Sequence, residues 1–114
     1  MIARHWRGWT SHENADKYEA LLRNQIMPAI RRIRGCKGGY LLRRNPTSGE
    51  TAETEFVVIH MFESLHALQA FAGPDYAKAV IEPEARALLC RTDDFAVHYE
   101  ITVNTLDERP DPER

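Results

Sequence analysis

The stretch from Phe56 to Phe62 limits, more than any other feature, how this chain can fold. It is rich in β-branched and aromatic residues typical of strands, and both of its alternating faces are apolar, with His60 as the exception. A strand whose sheet has one solvated face should instead alternate apolar with polar residues. The stretch therefore predicts a strand that is covered on both sides.

The first part of the chain predicts a strand followed by a long helix. Residues 2–9 mix aromatic and β-branched side chains with arginines and are typical of a strand. The helix should begin at Thr10 or Ser11, with Glu13 completing a capping box after Thr10. Pro28 should kink or divide it, because proline has no backbone N–H. The apolar stripe of this helix has spacings of three and four: Tyr18, Leu22, Ile26, Ala29, Ile30 and Ile33.

A hairpin should follow the helix. Glycines at positions 35, 38 and 39 allow the backbone to change direction there. Residues 40–44 and 55–62 are typical of strands, and residues 45–50 have the composition of a polar turn. We therefore expect these two strands to pair antiparallel.

The last part of the chain predicts a second helical region and a final strand. Ser64 should cap a helix that ends at Gly73. A further helical turn is expected at 75–80, a short helix from Pro83, and the last strand at 94–103. The apolar residues expected on the short helix are Ala85, Leu88 and Leu89.

The resulting order, β-α-β-β-α-β, is that of the ferredoxin-like α+β fold. Right-handed crossovers would place both helix groups on one face of a four-stranded antiparallel sheet. A length of 114 residues suits one domain, expected at 1–103, followed by a charged, flexible tail at 104–114.

Helices on one face leave the second apolar face of this sheet uncovered. Exposed apolar patches on the order of several hundred Å² are rare on monomers. We therefore expect a two-fold homodimer whose sheets pack face to face, forming a dimeric α+β barrel with room for a pocket. In the alternative arrangement, long side chains or the loop near Pro74 would cover that face.

Composition argues against several classes of protein and site. A net charge of −2 lacks the basic excess of nucleic-acid-binding proteins. The apolar runs are far shorter than the roughly 20 residues of a membrane span, and the N-terminus lacks a signal-peptide pattern, so we expect a cytoplasmic protein without a membrane partner. Cys36 and Cys90 should be reduced thiols. The scattered histidines predict no metal site, and the lack of a dinucleotide motif predicts no bound flavin or nicotinamide.

Six stretches of the sequence carry a resemblance to a known family. They are residues 2–10, 18–22, 39–44, 62–65, 71–73 and 98–100. Together they resemble the antibiotic biosynthesis monooxygenase family of the dimeric α+β barrel superfamily, over about residues 1–101. The resemblance implies a ferredoxin-like protomer whose sheet forms a barrel with that of a second copy. It also implies one of two activities of characterised relatives: oxidation of polyketide quinol precursors without metal or flavin, or degradation of haem.

Oxygenation without a cofactor needs an electron-rich substrate, such as a phenolate or enolate, that passes an electron to O2 itself. The protein must take a proton, hold the anion and exclude water. His60 and His98 are predicted as catalytic bases, because the ordinary pKa of histidine lies near physiological pH. The predicted substrate-binding residues, an anion partner followed by aromatic walls or donors, are Arg4, Trp6, Tyr40 and Tyr99.

Strand one could present either of two pairs to the pocket, Arg4 with Trp6 or His5 with Arg7. We expect the first pair there, because a tryptophan needs a large burial site and the partner sheet would provide one. A structural role is the alternative for each candidate: His60 as a satisfied core histidine, for example.

Two hypotheses about function follow. The first is a monooxygenase that acts on a small aromatic or polyketide-like molecule, such as a quinol or phenol. The second is a non-catalytic dimeric small-molecule-binding or stress-response protein of the same fold. Haem degradation is disfavoured, because that branch of the family places an asparagine in strand one and a tryptophan and a histidine elsewhere in the pocket. Residues 2–9 contain no asparagine and residues 56–62 no tryptophan.

Overall fold

The computed structural model describes residues 1–47 and 52–106, so the predicted turn at 45–50 and the predicted tail lie partly outside it. The strands are β1 (Ile2–Thr10), β2 (Cys36–Arg44), β3 (Thr54–Phe62), β4 (Leu89–Thr92) and β5 (Val97–Glu100). The helices are α1 (His12–Leu21), α2 (Met27–Arg31), α3 (Leu65–Ala72) and α4 (Pro83–Leu88), and a π-helical turn at Leu22–Ile26 joins α1 to α2.

The strands pair antiparallel in one sheet, in the order β2-β3-β1-β4, with β5 also paired to β1. β4 and β5 follow one another along the same edge of β1, since Thr92 lies opposite Gly8 and Glu100 lies opposite Ile2. Together they form one broken fourth strand. The predicted ferredoxin-like α+β fold and the predicted β2–β3 hairpin pairing are therefore confirmed.

Two predictions about the second half hold only in part, for a shared reason. The expected strand at 94–103 is reduced to β5, and the expected helical turn at 75–80 is reduced to one hydrogen-bonded turn, in which the N–H of Lys78 donates to the oxygen of Asp75 at 3.2 Å. The N–H of Ala96 donates to the oxygen of Ala77 at 2.8 Å, and the N–H of Ala79 donates to the oxygen of Asp94 at 3.0 Å. Because these two segments pair with each other, residues 94–96 do not pair with β1, and the chain after Lys78 does not continue the turn.

Two predicted boundaries also differ from the structure. Leu89 begins β4 and is not part of α4. Ser11 alone caps α1, its Oγ accepting from the N–H of Asn14 at 3.3 Å. Thr10 ends β1 and is fully buried opposite Thr54, so its side chain cannot reach the start of the helix and the expected capping box does not form.

Pro28 interrupts the long helix as predicted, and the interruption is a π turn. The N–H of Met27 donates to the oxygen of Leu22, five residues earlier, where an α-helix would use the residue four earlier. Pro28 then lies at the start of α2, where its missing N–H costs least. The helical segment therefore has one wider turn, between α1 and α2.

The sheet has two distinct faces, as the pattern of β3 predicts. We call the face covered by the helices the helix face; on β3 it carries Phe56, Val58, His60 and Phe62. Two clusters of buried side chains in the described residues pack there. One surrounds Tyr18 and Phe56, and the other surrounds Phe62 and Leu68.

The opposite face, which we call the open face, is apolar and exposed. Val57, Ile59 and Met61 of β3 lie on it at least partly accessible. Tyr40, Leu42, Val97 and Tyr99 flank them with 43, 47, 49 and 56% of their surfaces exposed. At one end of this face the guanidinium groups of Arg7 and Arg91 cover Trp9, at 5.2 and 3.8 Å from its ring centre. In the part of the chain that is described, neither long side chains nor the loop near Pro74 covers the rest of the face. No helix among the described residues is long and apolar enough to cross a membrane.

Candidate functional site

A row of polar side chains crosses the helix face between the two core clusters. Strand register sets His60 of β3 opposite Arg4 of β1, and Arg4 opposite His98 of β5. On the far side of His60, Gly39 of β2 completes the row without a side chain. The alternation of the strands thus brings three charged or titratable groups together from distant parts of the sequence.

Arg4 is the centre of this row and is only 5% exposed. Its Nη1 donates to the backbone oxygen of Tyr76 and contacts Nε2 of His98 at 2.9 Å, and its Nη2 donates to the oxygen of Lys78 at 2.9 Å. The guanidinium carbon lies 5.5 Å from the ring centre of Phe71. No carboxylate pairs with Arg4 among the described residues. Burial lowers the pKa of Arg4 to about 10, so a positive charge without an acidic partner persists here at neutral pH.

His60 is 4% exposed and makes no hydrogen bond within the described part of the chain. Burial, and then the positive charge of Arg4, lower its pKa to about 4. The imidazole is therefore neutral at pH 7, with one nitrogen as donor and the other as acceptor. Its polar atoms are free for a ligand.

His98 lies on the far side of Arg4. Since arginine only donates, Nε2 of His98 accepts the bond from Arg4, which places the ring proton on Nδ1. Burial, followed by the charge of Arg4, also lowers the pKa of His98. Its ring meets that of Tyr76 edge-on, with 5.3 Å between their centres. His98 thus helps to orient the guanidinium of Arg4 from the side opposite His60.

A cavity, which we call the chamber, lies between the helix face and the helices. Arg4, His60 and Trp6 form its floor, while the π turn and Phe71 close it above. Its volume is about 60 Å³, and its other walls are mostly apolar. Such a site keeps one buried cation and one neutral imidazole together at a mostly apolar floor.

The structure brings only some of the predicted site residues together. Arg4, Trp6 and His60 line the chamber, and His98 contacts Arg4 outside it. Tyr40 and Tyr99 lie on the open face, with the sheet between them and the chamber.

The prediction that a partner sheet would bury Trp6 is wrong. Trp6 lies half-buried beneath the helices, and its Nε1 donates to the backbone oxygen of Asp93 at 2.8 Å. The open face of β1 instead carries Ala3 and His5. The chamber is also lined by Phe71, which the sequence pattern places in a helix but not in the site. Its position near the C-terminal end of α3, seven residues after Ser64, is the sequence feature that could have indicated it.

No group of three metal-ligating side chains of the His, Cys, Asp and Glu types is found among the residues described. His60 is the one such ligand on the chamber floor in that part of the chain, with Glu82 on the wall.

Comparison with known proteins supports the family resemblance. A family profile described as antibiotic biosynthesis monooxygenase matches residues 1–83. No curated protein matches the chain at a significant level.

Solved structures share the fold. A putative antibiotic biosynthesis monooxygenase from Deinococcus radiodurans is 19% identical with a TM-score of 0.59, covering 91% of this chain and 95% of its own. The haem degrader MhuD from Mycobacterium tuberculosis, solved with two haems in its active site, is 17% identical with a TM-score of 0.60, covering 91% and 98%. At these identities the structures establish a common architecture, and the profile match over most of the chain establishes the kinship. The chain belongs to the antibiotic biosynthesis monooxygenase family.

Proposed function

We propose that this protein is a small oxygenase that uses O2 without metal or flavin to oxidise a phenolic or quinol-like aromatic substrate whose reacting end lies at the floor of the chamber. The observation that carries the proposal is the buried charge of Arg4, which no acidic side chain of the described residues neutralises. A neutral ligand would leave this charge as it is. A phenolate or enolate would compensate it, and that anion is the form of the substrate that reacts with O2.

The electrostatics of the chamber favour ionisation of the substrate. The hydrogen bonds of Arg4 use three of its five N–H groups, so the guanidinium retains donors for an anion. In a mostly apolar site this attraction is stronger than in solution. Arg4 therefore lowers the pKa of a bound phenol, and the substrate can bind as its anion.

His60 acts as a neutral hydrogen-bonding partner in this proposal. Because the pKa of His60 is about 4, its imidazole passes on a proton taken from the substrate and does not remain protonated. His98, the other histidine considered as a base, is a positioning residue because it contacts Arg4 and lies outside the chamber.

The reaction balances without an external reductant. The substrate carbanion passes one electron to O2, and the two radicals combine to form a C–O bond and a hydroperoxide. The O–O bond then breaks, one oxygen leaves as water, and the carbon retains the other as a carbonyl. A CH2 group flanked by phenolic rings thus becomes C=O as O2 yields one water. The four electrons all come from the substrate.

The homodimer belongs to the same proposal. The exposed side chains of Tyr40, Leu42, Val97 and Tyr99 form the kind of apolar surface that self-association covers. Two open faces packed together would form the barrel. Since the chamber lies behind the helix face, each protomer would keep its own site on the outside of that barrel.

Oxygen uptake tests this function. Anthrone-type phenols and small quinols are mixed with wild-type protein, His60→Gln and His66→Gln, and O2 consumption and product are measured. We expect protein-dependent uptake that falls at least about tenfold in His60→Gln. The matched control His66 is exposed on α3, away from the chamber, and its variant should retain the activity. Uptake equal in all three proteins contradicts the proposal, and tight binding without uptake favours the non-catalytic binding protein.

A further inference from the structure

Two grooves open on either side of the chamber. We call basic groove the cleft between the long helix and β2, which is lined by Arg23, Arg31, Gly38 and Gly39 and has a volume of about 490 Å³. We call acidic groove the cleft towards α4, which contains Glu82 and Glu84 and has a volume of about 470 Å³. Each groove shares wall residues with the chamber, so a ligand in the chamber can extend into either one.

The small size of the chamber requires such an extension. A volume of about 60 Å³ holds a few water molecules, whereas a cavity that accepts one benzene ring is on the order of 150 Å³. His60 and Met27 line both the chamber and the basic groove. A ligand that contacts His60 from the basic groove therefore reaches the chamber floor and finds most of its space outside the chamber.

Glycines keep the path between Arg31 and His60 free of side chains. A Cβ added to Gly39 would lie 2.7 Å from Cδ2 of His60, closer than real contacts allow. A Cβ added to Gly38, where φ is +106°, would lie 3.8 Å from Nε of Arg31. Bare backbone thus forms the floor of the basic groove, from the arginine at its rim to the imidazole at its inner end.

The basic groove has an excess of positive charge. Glu19 is its acidic residue, and this carboxylate already binds Arg23 at 2.7 Å and Arg43 at 3.3 Å. Arg31 has no acidic partner in the described chain. Its Nη1 donates to the backbone oxygen of Cys36 at 2.7 Å, which holds the guanidinium against β2 and leaves its other N–H groups for a ligand.

The acidic groove has the opposite charge. Glu82 and Glu84 line it, and it contains no cationic residue among those described. A negatively charged ligand would therefore avoid this side of the chamber. The surroundings of the chamber therefore differ in charge: the side towards β2 favours an anion, and the side towards α4 disfavours one.

We propose that the substrate is an aromatic acid whose carboxylate binds Arg31 in the basic groove while its phenolic end reaches His60 and Arg4. This inference rests on the proposed function and adds the chemical class of the substrate. The carboxylate takes no part in the oxidation. It fixes the orientation of the ligand by a charge-assisted hydrogen bond to Arg31.

Paired ligands that differ only in charge test this inference by binding, without turnover. The probes are 6-hydroxy-2-naphthoate and its methyl ester, titrated into wild-type protein, Arg31→Gln and Arg32→Gln with quenching of tryptophan fluorescence as the readout. Wild type should bind the acid at least about tenfold more tightly than the ester. Arg31→Gln should abolish that preference and leave the affinity for the ester unchanged. Arg32, exposed at the C-terminal cap of α2 and outside the groove lining, provides the matched control, and its variant should behave as wild type.

Several results would overturn the inference. The inference is wrong if the wild-type protein does not bind the acid more tightly than the ester. It is also wrong if Arg31→Gln keeps the preference for the acid, or lowers the affinity for both ligands equally. The outcome is separable from that of the proposed function. Acid selectivity that depends on Arg31, without any O2 uptake, supports binding of the carboxylate in the basic groove and contradicts the oxygenase function. Uptake of O2 with neutral phenols, together with no effect of Arg31→Gln on binding, supports the oxygenase function and contradicts the carboxylate site.

Discussion

Acid should destabilise this protein through His60, and the size of the effect follows from its burial. Unfolded, the histidine has its ordinary pKa of about 6.5, whereas in the folded protein its pKa is about 4. Because the pKa of His60 is lower in the folded state, between pH 6.5 and pH 4 the unfolded chain binds a proton at His60 that the folded chain does not bind. The stability that His60 contributes is therefore complete above pH 6.5 and is lost as pH falls towards 4. The difference of about 2.5 pH units corresponds to a loss of about 3 kcal/mol between pH 7 and pH 4.

Urea unfolding at a fixed protein concentration, repeated from pH 7 to pH 4, measures this loss. Replacing His60 by glutamine should make the free energy of unfolding less dependent on pH by about 3 kcal/mol over that range, whatever its value at pH 7. The exposed control His66→Gln should retain the full dependence of the wild type. If the His60 variant does not fold, NMR titration of the wild-type His60 ring gives the same information. Equal pH dependence in all three proteins, or a titration of His60 centred near pH 6.5, would refute the reasoning.

Three further predictions concern other parts of the fold. Gly39→Ala should lower the free energy of unfolding by about 1–3 kcal/mol in urea melts, since its Cβ would lie 2.3 Å from the oxygen of Ile59. Leu42→Asp, on the open face, should turn the proposed dimer into a monomer in sedimentation velocity; an unchanged sedimentation coefficient would exclude that face as the interface. Ser64→Ala should cost about 1 kcal/mol of stability in thermal melts, because its Oγ accepts the N–H of Ala67 at 3.1 Å.

Local patterns were sufficient for most of the architecture. The two apolar faces of residues 56–62 predicted a sheet with helices on one face and an uncovered apolar surface on the other. The broken fourth strand was beyond such patterns. It depends on the pairing of Ala77 and Ala79 with residues 94–96, which are far away in sequence and have no feature that marks them as partners.

The candidate site was predictable in its residue types and only partly in its arrangement. Alternation along one strand correctly groups Arg4 with Trp6, but it does not relate one strand to another. Tyr40 lies opposite Ile59, and hence on the open face, because the register of the β2–β3 pair runs unbroken from Arg44 opposite Glu55, and the pattern of β2 alone does not fix that register. Arg4 received its role as an anion partner from chemistry alone. Its lack of a carboxylate partner is visible only in three dimensions.

The wide turn at Leu22–Ile26 has a consequence for comparison with relatives. It accommodates one residue more than an α-helical turn would. If the same residues wound as an unbroken α-helix, everything beyond this turn would be rotated by roughly 100° about the helix axis, since each α-helical residue advances by that angle. Met27 and Arg31 would then point away from Gly38 and Gly39. A relative with one residue fewer at this place and an ordinary α-helical turn would keep the same side chains towards the cavity, so that deletion alone should not change which molecules it selects.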